Sequence, residues 1–83
     1  MAVWEDFKAQ GNEAFRSGNF IQAIQSYSMA IVLAGLDATS SELICILFSN
    51  RSAAFMKMES YQFARADAED ALTFMPTKKP HFT

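Results

Sequence analysis

A chain of 83 residues with 51% hydrophobic side chains is long enough for one small domain with a packed core, which argues against wholesale disorder. Its formal net charge of −2, with no Lys/Arg cluster beyond Lys78-Lys79, argues against an electrostatic nucleic-acid binder. The single cysteine, Cys45, cannot form an internal disulfide. It sits in the apolar run 43–48, where it reads as a small buried hydrophobe in a reducing compartment.

Residues 1–6 carry neither a positive leader nor an apolar stretch. The longest run free of polar side chains, residues 29–36, falls far short of a membrane span. The expectation is a soluble cytoplasmic protein, or a nuclear one, that engages neither membrane nor nucleic acid.

In chain order, Trp4, Phe7, Gly11, Ala14 and Phe15 recur at helical spacing and predict a helix over about 3–17. Gly18 stands where a left-handed helix end favours glycine, and Asn19 with Gln22 predicts a capping box for the next helix. That second helix, about 20–34, carries Phe20, Ala23, Ile24, Tyr27, Ala30 and Ile31, and Gly35 is expected to stop it. The tight connection makes the two helices an antiparallel hairpin. After a linker over 35–41, Thr39 and Glu42 form a second capping-box pair. The third helix runs to about Met58, and its apolar first half implies burial on several sides. Ser60 opens a fourth helix, about 61–74, and Pro76 closes it.

The second half repeats the first at a fixed offset of 41: Gly11 maps to Ser52, Phe20 to Tyr61 and Ala30 to Ala71. Such self-similarity marks stacked helix pairs, because one pair cannot bury its apolar face alone. Ala23 and Ala30, like Ala64 and Ala71, lie seven apart on one face and allow close helix approach. Phe7, Phe15, Phe20, Tyr27, Phe48, Phe55 and Tyr61 are expected in the core.

These residues resemble the tetratricopeptide repeat: Gly11, Phe20, Ala23, Tyr27 and Ala30 fit one repeat, and Ser52, Tyr61, Ala64, Ala71 and Pro76 the next. The resemblance covers about residues 4–77. It implies an all-α fold of tandem antiparallel helix pairs in a right-handed α-solenoid, with pairs at about 3–34 and 41–75 inside a unit of residues 1–76. Two departures stand out. The offset exceeds the family's repeat of about 34 residues by about two helical turns, and Ala68 replaces the aromatic that Tyr27 supplies. Because about three repeats are usually needed for stability, the array is expected to be incomplete. Residues 77–83 would be a tail or the start of a third repeat, and the chain either a fragment or completed by self-association.

Within the family, the closer resemblance is to the co-chaperone type, which grips a peptide's C-terminal carboxylate in the groove lined by the first helix of each pair. The stretch 7–12 resembles the first clamp signature, with Lys8 and Asn12 in the lysine and asparagine places. The stretch 48–55 resembles the second, with Asn50 as the clamp asparagine. Lys8 and Asn12, at i and i+4, share a helix face that Phe15 continues, and Asn50, Ala53 and Lys57 form a similar stripe. Lys8 brings charge and donors, the asparagines bring neutral donors, and Phe15 and Ala53 shelter the site. The resemblance implies as partner the acidic C-terminal tail of the cytosolic 70-kDa or 90-kDa heat-shock chaperones. The family's further clamp lysine and arginine would belong to a third repeat. The competing reading leaves Lys8 and Asn12 as solvated surface residues. The alternative function is a scaffold that self-associates through its last helix pair, using Phe74, Met75 and Phe82.

No constellation for catalysis or cofactor binding occurs, so neither an enzyme nor a cofactor site is expected. Asp67, Glu69 and Asp70 are expected to face solvent. His81 has no ligand-spaced partners, and Asn50-Arg51-Ser52 fits a glycosylation triplet but falls inside a predicted helix.

Overall fold

The computed structural model describes residues 3–37 and 41–74, and all of its secondary structure is helical: α1 (Val3–Arg16), α2 (Phe20–Leu36), α3 (Ser41–Lys57) and α4 (Tyr61–Thr73). The first helix packs on the second, the third on the fourth, and α2 on α3, giving two helix pairs joined side by side. The anticipated all-α fold of tandem helix pairs is therefore what the chain adopts. The small residues do what their spacing implied. Ala23, Ala30 and Ala34 are fully buried at 0% exposure, and Ala64 and Ala71 nearly so, where helices meet at backbone distance. Leu47, also at 0%, is the largest fully enclosed side chain, and Trp4, Tyr27 and Ile44 complete the centre.

The offset of 41 is carried into the backbone. Gly18 has φ +83°. Its N–H donates to the carbonyl of Phe15 (3.1 Å) while the N–H of Asn19 reaches Ala14 (2.8 Å), a Schellman closure. One repeat later Glu59 has φ +60°, its N–H donates to Met56 (2.9 Å), and Ser60 reaches back to Phe55 (2.9 Å). A glutamate thus occupies the left-handed position that glycine fills in the first pair, at a steric cost glycine does not have.

Several local expectations are corrected. Asn19 does not make the side-chain cap expected of it: its ψ near 75° lies outside the extended geometry that aims a cap oxygen at the next turn, and Ser60, with ψ near 70°, makes none either. Gly35 does not stop α2, which continues to Leu36 with Asp37 as its C-cap, because Gly35 keeps a negative φ. Helices α2 and α3 span 17 residues each against 14 and 13 for their partners, so the extra length is shared between the end of α2 and the start of α3. Thr39, Met75, Pro76, His81 and Phe82 lie outside the described residues.

Among the aromatics, Tyr61 is 58% exposed instead of buried. Ile46 faces outward, so the start of α3 is covered on fewer sides than its composition implied, and Cys45 is half-buried. Phe74 does not project outward as a free contact: it stacks on Phe48 with ring centroids 5.7 Å apart and planes 12° from parallel. The largest correction is Asp67, which is 3% exposed and not solvated. Arg51 from α3 clasps its carboxylate in a fork, Nε to Oδ2 and Nη2 to Oδ1, each at 2.7 Å. The third guanidinium nitrogen, Nη1, donates to Ser28 Oγ of α2 at 3.0 Å, and Ser28 in turn donates to the Ile24 carbonyl. The guanidinium also lies over the rings of Phe48 and Phe55, 5.4 and 5.9 Å from their centroids.

Candidate peptide-binding groove

Residue spacing on α1 decides which side chains share a face. Lys8, Asn12 and Arg16 fall at i, i+4 and i+8, and Phe15 lies beside Arg16. On α3, Asn50 and Ala53 occupy the corresponding stripe. Because Arg51 is drawn by Asp67 and Ser28 toward α4 and α2, the preceding residue, about 100° round the helix, is turned the other way.

The two stripes meet. Asn12, Phe15 and Arg16 of α1, Tyr27 of α2, and Asn50 and Ala53 of α3 line a cavity of about 210 Å³. A second cavity of about 380 Å³ is lined by Trp4, Glu5, Lys8, Ala9, Asn12 and Leu43. Asn12 belongs to both. Five of the six residues anticipated from sequence thus line adjoining cavities: Lys8 and Asn12 in one, and Asn12, Phe15, Asn50 and Ala53 in the other. Lys57, the exposed last residue of α3, lines neither.

Six lining residues fall outside the anticipated set: Trp4, Glu5, Ala9 and Leu43 beside Lys8, and Arg16 and Tyr27 beside Asn50. Arg16 extends the Lys8-Asn12 stripe by one turn, a signal present in the i+4 spacing. Its guanidinium is held at the surface by Glu13 at 2.8 Å. Tyr27, read only as core, packs its ring on Gly11, where a Cβ would lie 2.6 Å from Cδ1 and Cε1, and donates its hydroxyl to Asn12 Oδ1 at 2.6 Å. Burial raises the Tyr27 pKa above its usual 10.0, against a smaller lowering by the Arg16 charge, so the phenol stays a donor at neutral pH.

Between them the cavities hold two cations, Lys8 and Arg16, one carboxylate, Glu5, two amides and apolar walls; the cations and amides can meet an anionic group next to an apolar side chain. Among the described residues no three of His, Cys, Asp and Glu gather as a metal site, and no helix is long and apolar enough to cross a membrane.

No protein-family model matches the chain, and no solved structure does. Among curated proteins it is 43% identical over 65 residues to Hsp70-Hsp90 organizing protein 1 of Arabidopsis thaliana, covering 78% of this chain and 10% of that protein. It is 42% identical over 72 residues to human sperm-associated antigen 1 (83% and 8%). It is 40% identical over 65 residues to protein unc-45 homolog B of Xenopus tropicalis (78% and 7%). The chain thus spans a tenth or less of these relatives' lengths. The paired helices and these similarities both fit the tetratricopeptide-repeat segment that the residue spacing resembles.

Proposed function

We propose that this chain is a non-catalytic peptide-binding module of the tetratricopeptide kind, acting in the cytoplasm or nucleus. Its groove takes the acidic C-terminal tail of a 70-kDa or 90-kDa heat-shock chaperone, with Lys8, Asn12 and Asn50 gripping the terminal carboxylate and Phe15 and Ala53 receiving an apolar side chain. The observation that carries this reading is the position of Asn12, common to the cavity that contains Lys8 and the cavity that contains Asn50. One bound carboxylate can therefore be served by a charged donor and neutral donors at once, and charge-assisted hydrogen bonds contribute about 1.5–3 kcal/mol each. A relative whose name joins Hsp70 and Hsp90 supports the choice of partner. Arg16 adds positive charge at the groove edge, and Lys57 would serve only a peptide that extends beyond the second cavity.

The test is calorimetric titration of acidic-tail peptides with a free and with an amidated C-terminus. Preference for the free acid supports the clamp; equal affinity contradicts it.

A second reading rests on exposed apolar side chains of α4: Tyr61, Phe63 and Leu72 are 58, 62 and 64% exposed. Tyr61 and Leu72 share one side of α4 and Phe63 lies on the other, so Tyr61 and Leu72 are the pair that would serve self-association through the last helix pair. Sedimentation velocity at micromolar concentration separates the readings, since a strict monomer counts against this one.

A further inference from the structure

We infer that Tyr27 is a positioning residue that fixes which end of the Asn12 amide faces the groove, and so makes the site select a terminal carboxylate over a terminal carboxamide. The inference rests on the clamp reading above.

An asparagine side chain offers an acceptor oxygen at one end and an NH₂ donor at the other, and a half-turn exchanges them at little intrinsic cost. A groove that presents the oxygen would repel a carboxylate and accept an amide N–H; one that presents the NH₂ donates to either oxygen of a charged carboxylate but to only the single neutral carbonyl oxygen of a carboxamide. At Asn12 the choice is made from behind. The Tyr27 hydroxyl donates to Oδ1 at 2.6 Å, which commits the oxygen to the protein and leaves Nδ2 for a ligand.

The phenol is itself fixed. Tyr27 is 3% exposed, and its ring lies against the bare Cα of Gly11 with no room for even one added carbon. Swinging the amide round would place donor against donor unless the hydroxyl turned away, and would strand an O–H in a largely enclosed setting. Because burial keeps the hydroxyl protonated, the arrangement holds throughout the neutral range. Gly11, usually understood as a packing residue, is thereby part of the specificity device: it admits the ring that aims the amide.

The test compares wild type and Tyr27→Phe, which keeps the ring and its packing on Gly11 but removes the hydroxyl. Affinities for the same acidic peptide, as free acid and as carboxamide, are measured for each protein after circular dichroism confirms the fold. The free-acid to carboxamide ratio is expected to fall about 5-fold or more in Tyr27→Phe, in line with the loss of one hydrogen bond's orienting effect. A purely structural role would weaken both peptides alike and leave the ratio unchanged, which overturns the inference while leaving the clamp intact. A wild-type ratio of one overturns the clamp reading and this inference with it. Should Tyr27→Phe fail to fold, nuclear Overhauser contacts in the wild-type complex decide. Contacts from the Asn12 Hδ2 protons to the last peptide residue support the inference; their absence from the saturated complex overturns it.

Discussion

Arg51 and Asp67 are joined by two parallel hydrogen bonds of 2.7 Å across the α3–α4 interface, and the same guanidinium reaches Ser28 on α2. One side chain thereby ties the two helix pairs together and sets the rotation of the helix that presents Asn50. The Asp67 side chain is 5% exposed and that of Arg51 22%. Removing one partner leaves the other poorly solvated and unpaired. Asp67→Ala is expected to cost about 2–3 kcal/mol, somewhat below the ~3–5 kcal/mol of a fully buried pair because Arg51 keeps partial access to water. Urea unfolding followed by circular dichroism gives the value. The double variant Arg51→Met/Asp67→Leu is expected to recover much of the loss.

The two left-handed helix ends predict opposite responses. Gly18→Ala puts a Cβ on a residue at φ +83° and is expected to destabilise by about 1 kcal/mol, although open space surrounds the site. Glu59→Gly relieves the same strain at φ +60° and is expected to stabilise by a similar amount. Gly35→Ala, in open space within α2 and at negative φ, is expected to stabilise by about 0.5–1 kcal/mol. Thermal melts of the three variants check the signs, and a loss for Gly35→Ala would restore its role as a helix stop.

Gly11→Ala is expected to be the costliest of the glycine changes. Its Cβ would lie 2.6 Å from two atoms of the Tyr27 ring, which is buried and tethered at its hydroxyl. Overpacking of this kind costs about 1–3 kcal/mol, more than the gain of up to ~1 kcal/mol in helix propensity. Moving the ring also disturbs Asn12, so peptide affinity is expected to fall along with stability in denaturant titrations.

Alkaline pH should unsettle the first helix pair. The folded-state pKa of Tyr27 is raised above the 10.0 of an exposed tyrosine, chiefly by burial. A raised folded pKa means that its contribution is complete below about pH 10 and is lost as pH rises through the folded value. Unfolding midpoints measured from pH 8 upward are expected to decline above about pH 10, with a shallower decline in Tyr27→Phe.

Much of this fold is visible in the spacing of small and aromatic residues. The repeat at 41 predicts four helices, the left-handed turn at Gly18 and the buried alanines, because these depend on which residues can share a face. Asp67 is misread because an acidic residue among other acids ordinarily faces water. Yet it falls on the Ala64-Ala71 stripe at i+3 and i+7, and that register, not its chemistry, decides its burial. Its partner Arg51 is 16 residues away, beyond any local pattern. The groove is similar: Lys8, Asn12 and Asn50 are marked by their flanking residues, while the Tyr27 bond to Asn12 depends on how α2 lies against α1. The Asn19-Gln22 capping box misleads because the Schellman turn sets the backbone of Asn19 outside capping geometry.

Charge should govern affinity if the groove holds a carboxylate. Lys8→Ala is expected to weaken free-acid peptide binding by about 10-fold or more, the scale of one charge-assisted hydrogen bond. Arg16→Ala, exposed and paired with Glu13, is expected to weaken it by only about 2–3-fold. Raising salt should reduce binding to wild type more than to Lys8→Ala. Calorimetry over a salt series measures all three.

The most direct measurement is a ¹⁵N-edited NMR titration of the wild-type chain with an acidic peptide bearing a free C-terminus, following the side-chain amides of Asn12 and Asn50. Both pairs of NH₂ signals are expected to move together and to saturate with the peptide's affinity. If they stay in place while the peptide perturbs other surfaces, such as the cavity between Phe20 and Met58 or the α4 face at Phe63, the carboxylate-binding groove is contradicted.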